Sequence, residues 1–292
     1  MAEPAKRAAK KVEPAPSLAG RIKTAPKLSA PDGARARVDE WLGEIARGGA
    51  GQAIRRLLVP AKGCDSKLAD VLAAIAEGSP YLWDLVRADP GRFLAVLESE
   101  PEAQFAALIA EIDRAGLTAA NDDEAMRALR RGKAEAALLI ALADIGGVWP
   151  VERVTRALTE FADAALRAAV RYLLRGAAAQ GKFSAREPAR PEEGSGYIIL
   201  AMGKMGAFEL NYSSDIDLIV LYDENVSALG AGVEPAQFYV RLTRALVKLM
   251  QERAADGYVF RTDLRLRPDP ASTQIAISVT SALNYYESTG QN

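Results

Sequence analysis

From Val38 to about Gln180 the apolar positions recur at three- and four-residue steps, with Ala and Leu dense and breaks at Pro60, Pro80, Pro90, Pro101, Gly146 and Pro150. That period predicts a succession of helices, because residues three and four apart share one helix face and proline is tolerated at a helix start but not in its interior. The clearest helix follows Pro150, where Val154, Leu158, Phe161, Ala165, Ala169 and Tyr172 form a single stripe that must pack on another helix or on the next domain. A second is predicted over about 122–144. Asn121 and the three acids after it suit a cap and the positive end of the helix dipole. Arg127, Arg130, Arg131 and Lys133 follow within it and read as a solvated helix face, with a phosphate or acidic partner as the alternative.

After Gly196 the period shortens. Tyr197 to Met202 is a short apolar run, Asp215 to Tyr222 alternates around Ile and Val, and Tyr258 to Arg267 alternates again, so strands are predicted there. Between the last two, Phe238, Leu242, Ala245, Leu246 and Leu249 mark an amphipathic helix over about 234–253. The expected fold class is α+β: a helical domain over 36–180, then a small α/β domain with a mixed sheet over 197–292. The polar stretch 181–196, with Pro188 and Pro191, reads as the linker between them.

Residues 1–35 carry eight Lys/Arg against three acids, a local charge of +5, and are rich in Ala and Pro. Such a segment buries too little apolar surface to offset its ordering entropy, so it is expected to be a disordered basic tail, with a targeting or anion-binding arm as the alternative.

Across 292 residues the net charge is -1, which supplies no global basic field for a nucleic-acid backbone; a nucleotide-sized partner fits better. No apolar run approaches the roughly 18 residues of a membrane span, and no hydrophobic signal follows the basic start, so a cytoplasmic location is expected. Cys64 is the only cysteine and reads as a small core residue, which removes internal disulfides and cysteine-clustered zinc sites. The chain has no histidine at all. Ser-His and Cys-His nucleophiles and imidazole acid/base work are thereby excluded, leaving carboxylates, Lys, Arg, hydroxyls or a metal.

Asp215 and Asp217 stand two apart at the mouth of a predicted strand, so both leave one face, while Ile216, Leu218, Val220 and Tyr222 take the other. Paired carboxylates repel unless a cation lies between them, and an all-oxygen donor set suits Mg²⁺, with Mn²⁺ as a substitute. In the second segment, alternation puts Arg261, Asp263, Arg265 and Arg267 on one side and Phe260, Thr262, Leu264 and Leu266 on the other. If the two strands are neighbours, Asp263 completes a three-carboxylate site bracketed by guanidinium groups, the layout of metal-assisted phosphoryl or nucleotidyl transfer. Directly after the first strand, Gly203, Lys204 and Gly206 lie in a turn suited to a phosphate, although ordinary strand-to-helix turns look the same. Ser213 and Ser214 are candidates either to bind phosphate or to cap the loop backbone.

The run from Ile199 to Asp223, containing Met-Gly-Lys-Met-Gly and Asn-Tyr-Ser-Ser-Asp-Ile-Asp, together with Phe260-Arg-Thr-Asp-Leu-Arg-Leu-Arg-Pro268, resembles the bifunctional glutamine synthetase adenylyltransferase/adenylyl-removing enzymes. The helices around 79–90 and 127–174 are similar to that family as well. The resemblance implies a domain related to the DNA polymerase beta fold and looks like the family's N-terminal, adenylyl-removing copy. It implies release of AMP from a glutamine synthetase tyrosine as ADP, by attack of orthophosphate, with Asp215, Asp217 and Asp263 holding metal ions. It also implies glutamine synthetase and a PII-type nitrogen-signalling protein as partners. The reverse transfer of AMP from ATP, or an inactive binding module, stay open beside it. Gly203-Lys204 stands where polymerase-beta relatives have Gly-Ser, and Ala207 where a second glycine is frequent. The end at Asn292 suggests a chain shortened relative to that family.

Overall fold

The computed structural model describes residues 16–59 and 67–290. Pro60 and Cys64, on which two expectations rest, lie outside them. The first part is helical throughout: α1 (Leu18–Arg21), α2 (Pro31–Glu44), α3 (Gly49–Leu58), α4 (Leu68–Gly78), α5 (Pro80–Ala88), α6 (Pro90–Glu98), α7 (Pro101–Thr118), α8 (Asp122–Ile145) and α9 (Val151–Ala179). Pro80, Pro90 and Pro101 each occupy the first helical position, where the missing N–H would have had no partner. The caps before them act as the chemistry predicts: Asp89 Oδ1 accepts from Arg92 N–H at 2.9 Å, and Asn121 Oδ1 accepts from Glu124 N–H at 2.9 Å to open α8.

The second part contains β1 (Tyr197–Ala201), α10 (Gly203–Gly206), β2 (Ile216–Tyr222), α11 (Pro235–Gln251), β3 (Thr262–Asp263), β4 (Ile277–Ser278) and α12 (Val279–Ser288). β2 is the central strand. β1 runs antiparallel to it, with Ala201 opposite Leu218, while β3 and β4 run parallel to it, so the sheet is mixed. Ile216, Leu218, Val220 and Tyr222 are buried as their alternation required. Against that face α11 lays Tyr239, whose ring stacks on Tyr222 at 4.9 Å and on Tyr197 at 5.9 Å. Its hydroxyl donates to the Ser195 carbonyl at 2.6 Å, which satisfies the buried phenol.

Four expectations are corrected. Residues 16–35 are not a disordered tail: α1 packs into the helical core, with Leu18 and Ile22 buried, the Leu18 N–H donating to Ser99 O at 2.7 Å, and Arg21 paired with Glu102. The short apolar run Leu18-Ala-Gly-Arg-Ile22 was diluted by its basic surroundings when averaged over the segment. Second, 181–196 is packed and not a free spacer. Phe183 is buried and bridges Leu229, and Glu192 accepts at 2.6 Å from the buried Arg171, which also pairs with Asp113 at 3.5 Å.

Third, the strand predicted over 258–267 contracts to Thr262–Asp263. Val259 and Phe260 are both buried, which breaks the alternation, and the Arg265 N–H turns back to donate to Asp263 Oδ1 at 2.8 Å, ending the strand. Fourth, the basic residues of α8 are not uniformly solvated. Arg130 is buried and donates to Asp256 Oδ1 at 3.2 Å and to the Glu252 carbonyl at 2.7 Å. The Lys133 ammonium lies 3.8 Å from the Phe260 ring centroid. Both tie α8 to the turn between α11 and β3, and one continuous apolar core runs from the helices into the sheet.

Candidate active site

Two chain segments meet at one end of β2. The Ile216 N–H donates to Arg261 O at 2.9 Å, and the parallel register then sets Ile216 beside Thr262 and Asp217 beside Asp263. Side chains of register partners leave the same sheet face, so these two acids are neighbours across the strands. Asp215 lies one residue before β2. Its Oδ1 accepts from Arg261 Nε at 2.5 Å, and the same guanidinium reaches the Ser213 carbonyl at 3.3 Å.

Asp263 is wrapped by Arg265, which donates from its backbone and from Nε at 3.0 Å and 2.9 Å and through its terminal nitrogen as well. Those bonds hold the Asp263 carboxyl below the usual range, and the Arg265 guanidinium is held charged by Asp263 first and then by Asp217 and Asp215. Arg265 is thus paired directly with Asp263 and feels the charge of the other two acids. Among the described residues, however, no three carboxylates lie close enough together to grip a single ion. The expected convergence is only partly assembled: Asp217 and Asp263 are side by side, while Asp215 is paired with Arg261.

The glycine turn closes the site from the β1 side. Gly203 has φ +54°, a left-handed conformation that disfavours other residues, and a Cβ there would come within 3.0 Å of Asp217 Oδ2. Its bare backbone thus lets the turn approach the carboxylate. Gly206 serves a different end: a Cβ would stand 2.4 Å from the Ala201 carbonyl, so its role is packing of the turn against β1. Lys204 is exposed on α10.

Ser214 donates its hydroxyl to Asn211 Oδ1 at 2.7 Å, and the Ser213 N–H donates to the same oxygen at 3.2 Å, so the Asn211 side chain caps the loop and the serine hydroxyls do not. Arg267 is drawn away from the acids to the carbonyls of Leu264, Pro270 and Thr273 at 2.7, 2.9 and 3.3 Å, where it braces the loop after β3. Of the candidate arginines, the structure brings Arg261 and Arg265 to the acids and not Arg267.

Sequence reasoning missed the residues that anchor this loop from outside. Asn211 is its internal hub. Tyr212 donates its hydroxyl to Asp144 Oδ2 on α8 at 2.8 Å, and the Leu210 N–H donates to Thr159 Oγ1 on α9 at 3.4 Å. One signal was present: Asp144 sits in the last turn of α8, where an acid opposes the helix dipole and so calls for a specific partner.

A helical domain followed by a small mixed sheet with a glycine turn and acids at one strand end defines a nucleotidyltransferase-like α+β protein. Residues 67–292 match the family described as Glutamate-ammonia ligase adenylyltransferase. The chain is 54% identical over 274 residues to the bifunctional glutamine synthetase adenylyltransferase/adenylyl-removing enzyme of a Bradyrhizobium species, and 53% identical over 275 residues to that of Bradyrhizobium diazoefficiens. Each match covers 94% of this chain and 27% of the relative. The corresponding protein of Xanthobacter autotrophicus is 54% identical over 222 residues, 75% of this chain and 22% of its own. This chain belongs to the glutamate-ammonia ligase adenylyltransferase family of nucleotidyltransferases. It spans about a quarter of the length of the curated relatives it matches. Among the described residues, no helix is long and apolar enough to cross a membrane.

Proposed function

We propose that the chain carries an adenylyl-removing site acting on glutamine synthetase: AMP esterified to a tyrosine is released as ADP by orthophosphate. A phosphate oxygen bonds to the adenylyl phosphorus, the bond from phosphorus to the tyrosyl oxygen breaks, and that oxygen takes up a proton. The observation that carries the reading is the register that pairs Asp217 with Asp263 beside the Gly203 turn.

The donor chemistry fits a hard divalent ion such as Mg²⁺ or Mn²⁺. The acids supply only carboxylate oxygens, and Asp263 already pairs with a cation in the form of the Arg265 guanidinium. Asp217 and Asp263 would hold such an ion, with Asp215 joining once its bond to Arg261 is exchanged. The ion's contribution is to neutralise charge at phosphorus and lower the pKa of the attacking oxygen. Arg261 and Arg265, released from their carboxylates, bind phosphate oxygens through their forked donors. Gly203 leaves room for the phosphate to approach backbone amides, and Lys204 adds a point charge from the exposed side of the turn. A cytoplasmic location accords with this substrate.

Incubation with adenylylated glutamine synthetase, Mg²⁺ and orthophosphate is expected to yield ADP, and the Asp217→Asn variant to yield none. A folded native chain that releases no ADP under these conditions overturns the reading.

A further inference from the structure

Both acid-bearing segments are fastened to the same two helices. The segment before β3 is tied to α8 by Arg130, which reaches Asp256 and the Glu252 carbonyl, and by Lys133 over Phe260; Phe161 of α9 meets that ring at 6.1 Å. The segment before β2 is tied by Tyr212 to Asp144 of α8 and by the Leu210 N–H to Thr159 of α9. Arg156 of α9 adds a third contact, its guanidinium lying 5.6 Å from the Phe208 ring centroid.

The loop between α10 and β2 needs such anchors. It has no regular structure over 207–215, and Phe208 has φ +61°, a backbone conformation that a side chain with a Cβ rarely adopts and that persists only where the surroundings enforce it. Its far end is Asp215. The placement of Asp144 points the same way, because an acid in the last turn of α8 weakens that helix on its own account. Although Tyr212 is 44% exposed, desolvation at its hydroxyl and the bond to the charged Asp144 keep that hydroxyl protonated, and hence a donor.

We propose that α8 and α9 form the frame that sets the position of the acid loop, with Tyr212 and Asp144 as positioning residues acting through the loop on Asp215 and Asp217. This rests on the reading of those acids as a divalent-metal site. Neither residue touches a reacting atom. Their bond fixes where the loop enters β2, as outer hydrogen bonds fix the ligands of a metal site.

The test uses the whole chain and Mn²⁺ alone, with free ion followed by electron paramagnetic resonance, beside thermal melting. Tyr212→Phe and Asp144→Ala are each expected to weaken Mn²⁺ binding by about tenfold, the lower end of what losing an outer hydrogen bond costs a metal site. The double variant should be no weaker than either single one, since both remove the same bond. Tyr172→Phe is the control. It deletes a similar hydroxyl-to-carboxylate bond, Tyr172 to Asp122 at 2.6 Å, that lies in the helical domain away from the acid loop, and should leave Mn²⁺ affinity unchanged.

Native-like Mn²⁺ affinity in Tyr212→Phe, or equal weakening in Tyr172→Phe, overturns the proposal. If the native chain binds no Mn²⁺ saturably, the metal-site reading fails and hydrogen exchange decides the positioning role. Amides of 203–215 that exchange at least tenfold faster in Tyr212→Phe support the frame, and unchanged exchange refutes it.

Discussion

Lys133 offers a direct measure of how the helices are joined to the sheet. Its ammonium lies 3.8 Å from the Phe260 ring centroid and 6.0 Å from that of Phe161, and burial pushes its pKa from the ordinary 10.5 down to about 8. A fall of that size corresponds to about 3 kcal/mol between the charged and neutral forms. Contact of a desolvated ammonium with an aromatic face returns about 1–2 kcal/mol, so below pH 8 the charge should be net destabilising by about 1–2 kcal/mol.

Lys133→Met keeps the stem's packing and removes the charge. At pH 7 the variant should be more stable in urea by about 1–2 kcal/mol. The sign of the pH dependence follows from linkage. The folded pKa lies below the unfolded one, so between about 8 and 10.5 the unfolded chain binds more protons, and native stability rises with pH across that window. Below pH 8 this contribution is flat. Tyrosines with raised pKa, Tyr197 and Tyr239 among them, lower stability at still higher pH in both proteins, so the difference between native and variant is the quantity to read. A variant that is less stable at pH 7, or that keeps the native rise between pH 8 and 10, refutes the reasoning and makes the ammonium a stabilising element of the junction.

Gly206→Ala places a Cβ 2.4 Å from the Ala201 carbonyl and should destabilise by about 1–3 kcal/mol in urea; an unchanged midpoint would show that the turn is not packed as described. Arg130→Met forfeits a bond to Asp256 and one to the Glu252 carbonyl, an expected loss of about 1.5–3 kcal/mol, and hydrogen exchange should rise first in 252–260. The Glu102 carboxyl is held down to about 2, chiefly by its bond from Arg21. Its folded pKa lies below the unfolded value near 4.5, so the stability it contributes is present above that value and is lost as pH falls toward 2. The pair is partly exposed, so Arg21→Gln should flatten that acid limb by only about 0.5 kcal/mol, and an unaltered acid titration would refute the assignment.

What the chain determined by itself was local. Period, proline placement and capping side chains set most of the helices of the first part, because those signals act within one turn and need no distant partner. The Asn211 to Tyr222 run likewise announced a strand with acids at its mouth, since alternation alone decides which face Ile216 and Asp217 take. Tertiary structure decided the rest. It set Asp217 beside Asp263, sent Arg267 into its own loop, docked Leu18 and Ile22 from a segment that composition marks as tail, and turned Arg130 and Lys133 inward. Apart from Arg267, whose carbonyl partners lie three to six residues away, these depend on partners tens of residues away. A guanidinium or carboxylate takes whichever opposite charge the fold brings nearest, and spacing along the chain carries no information about that distance.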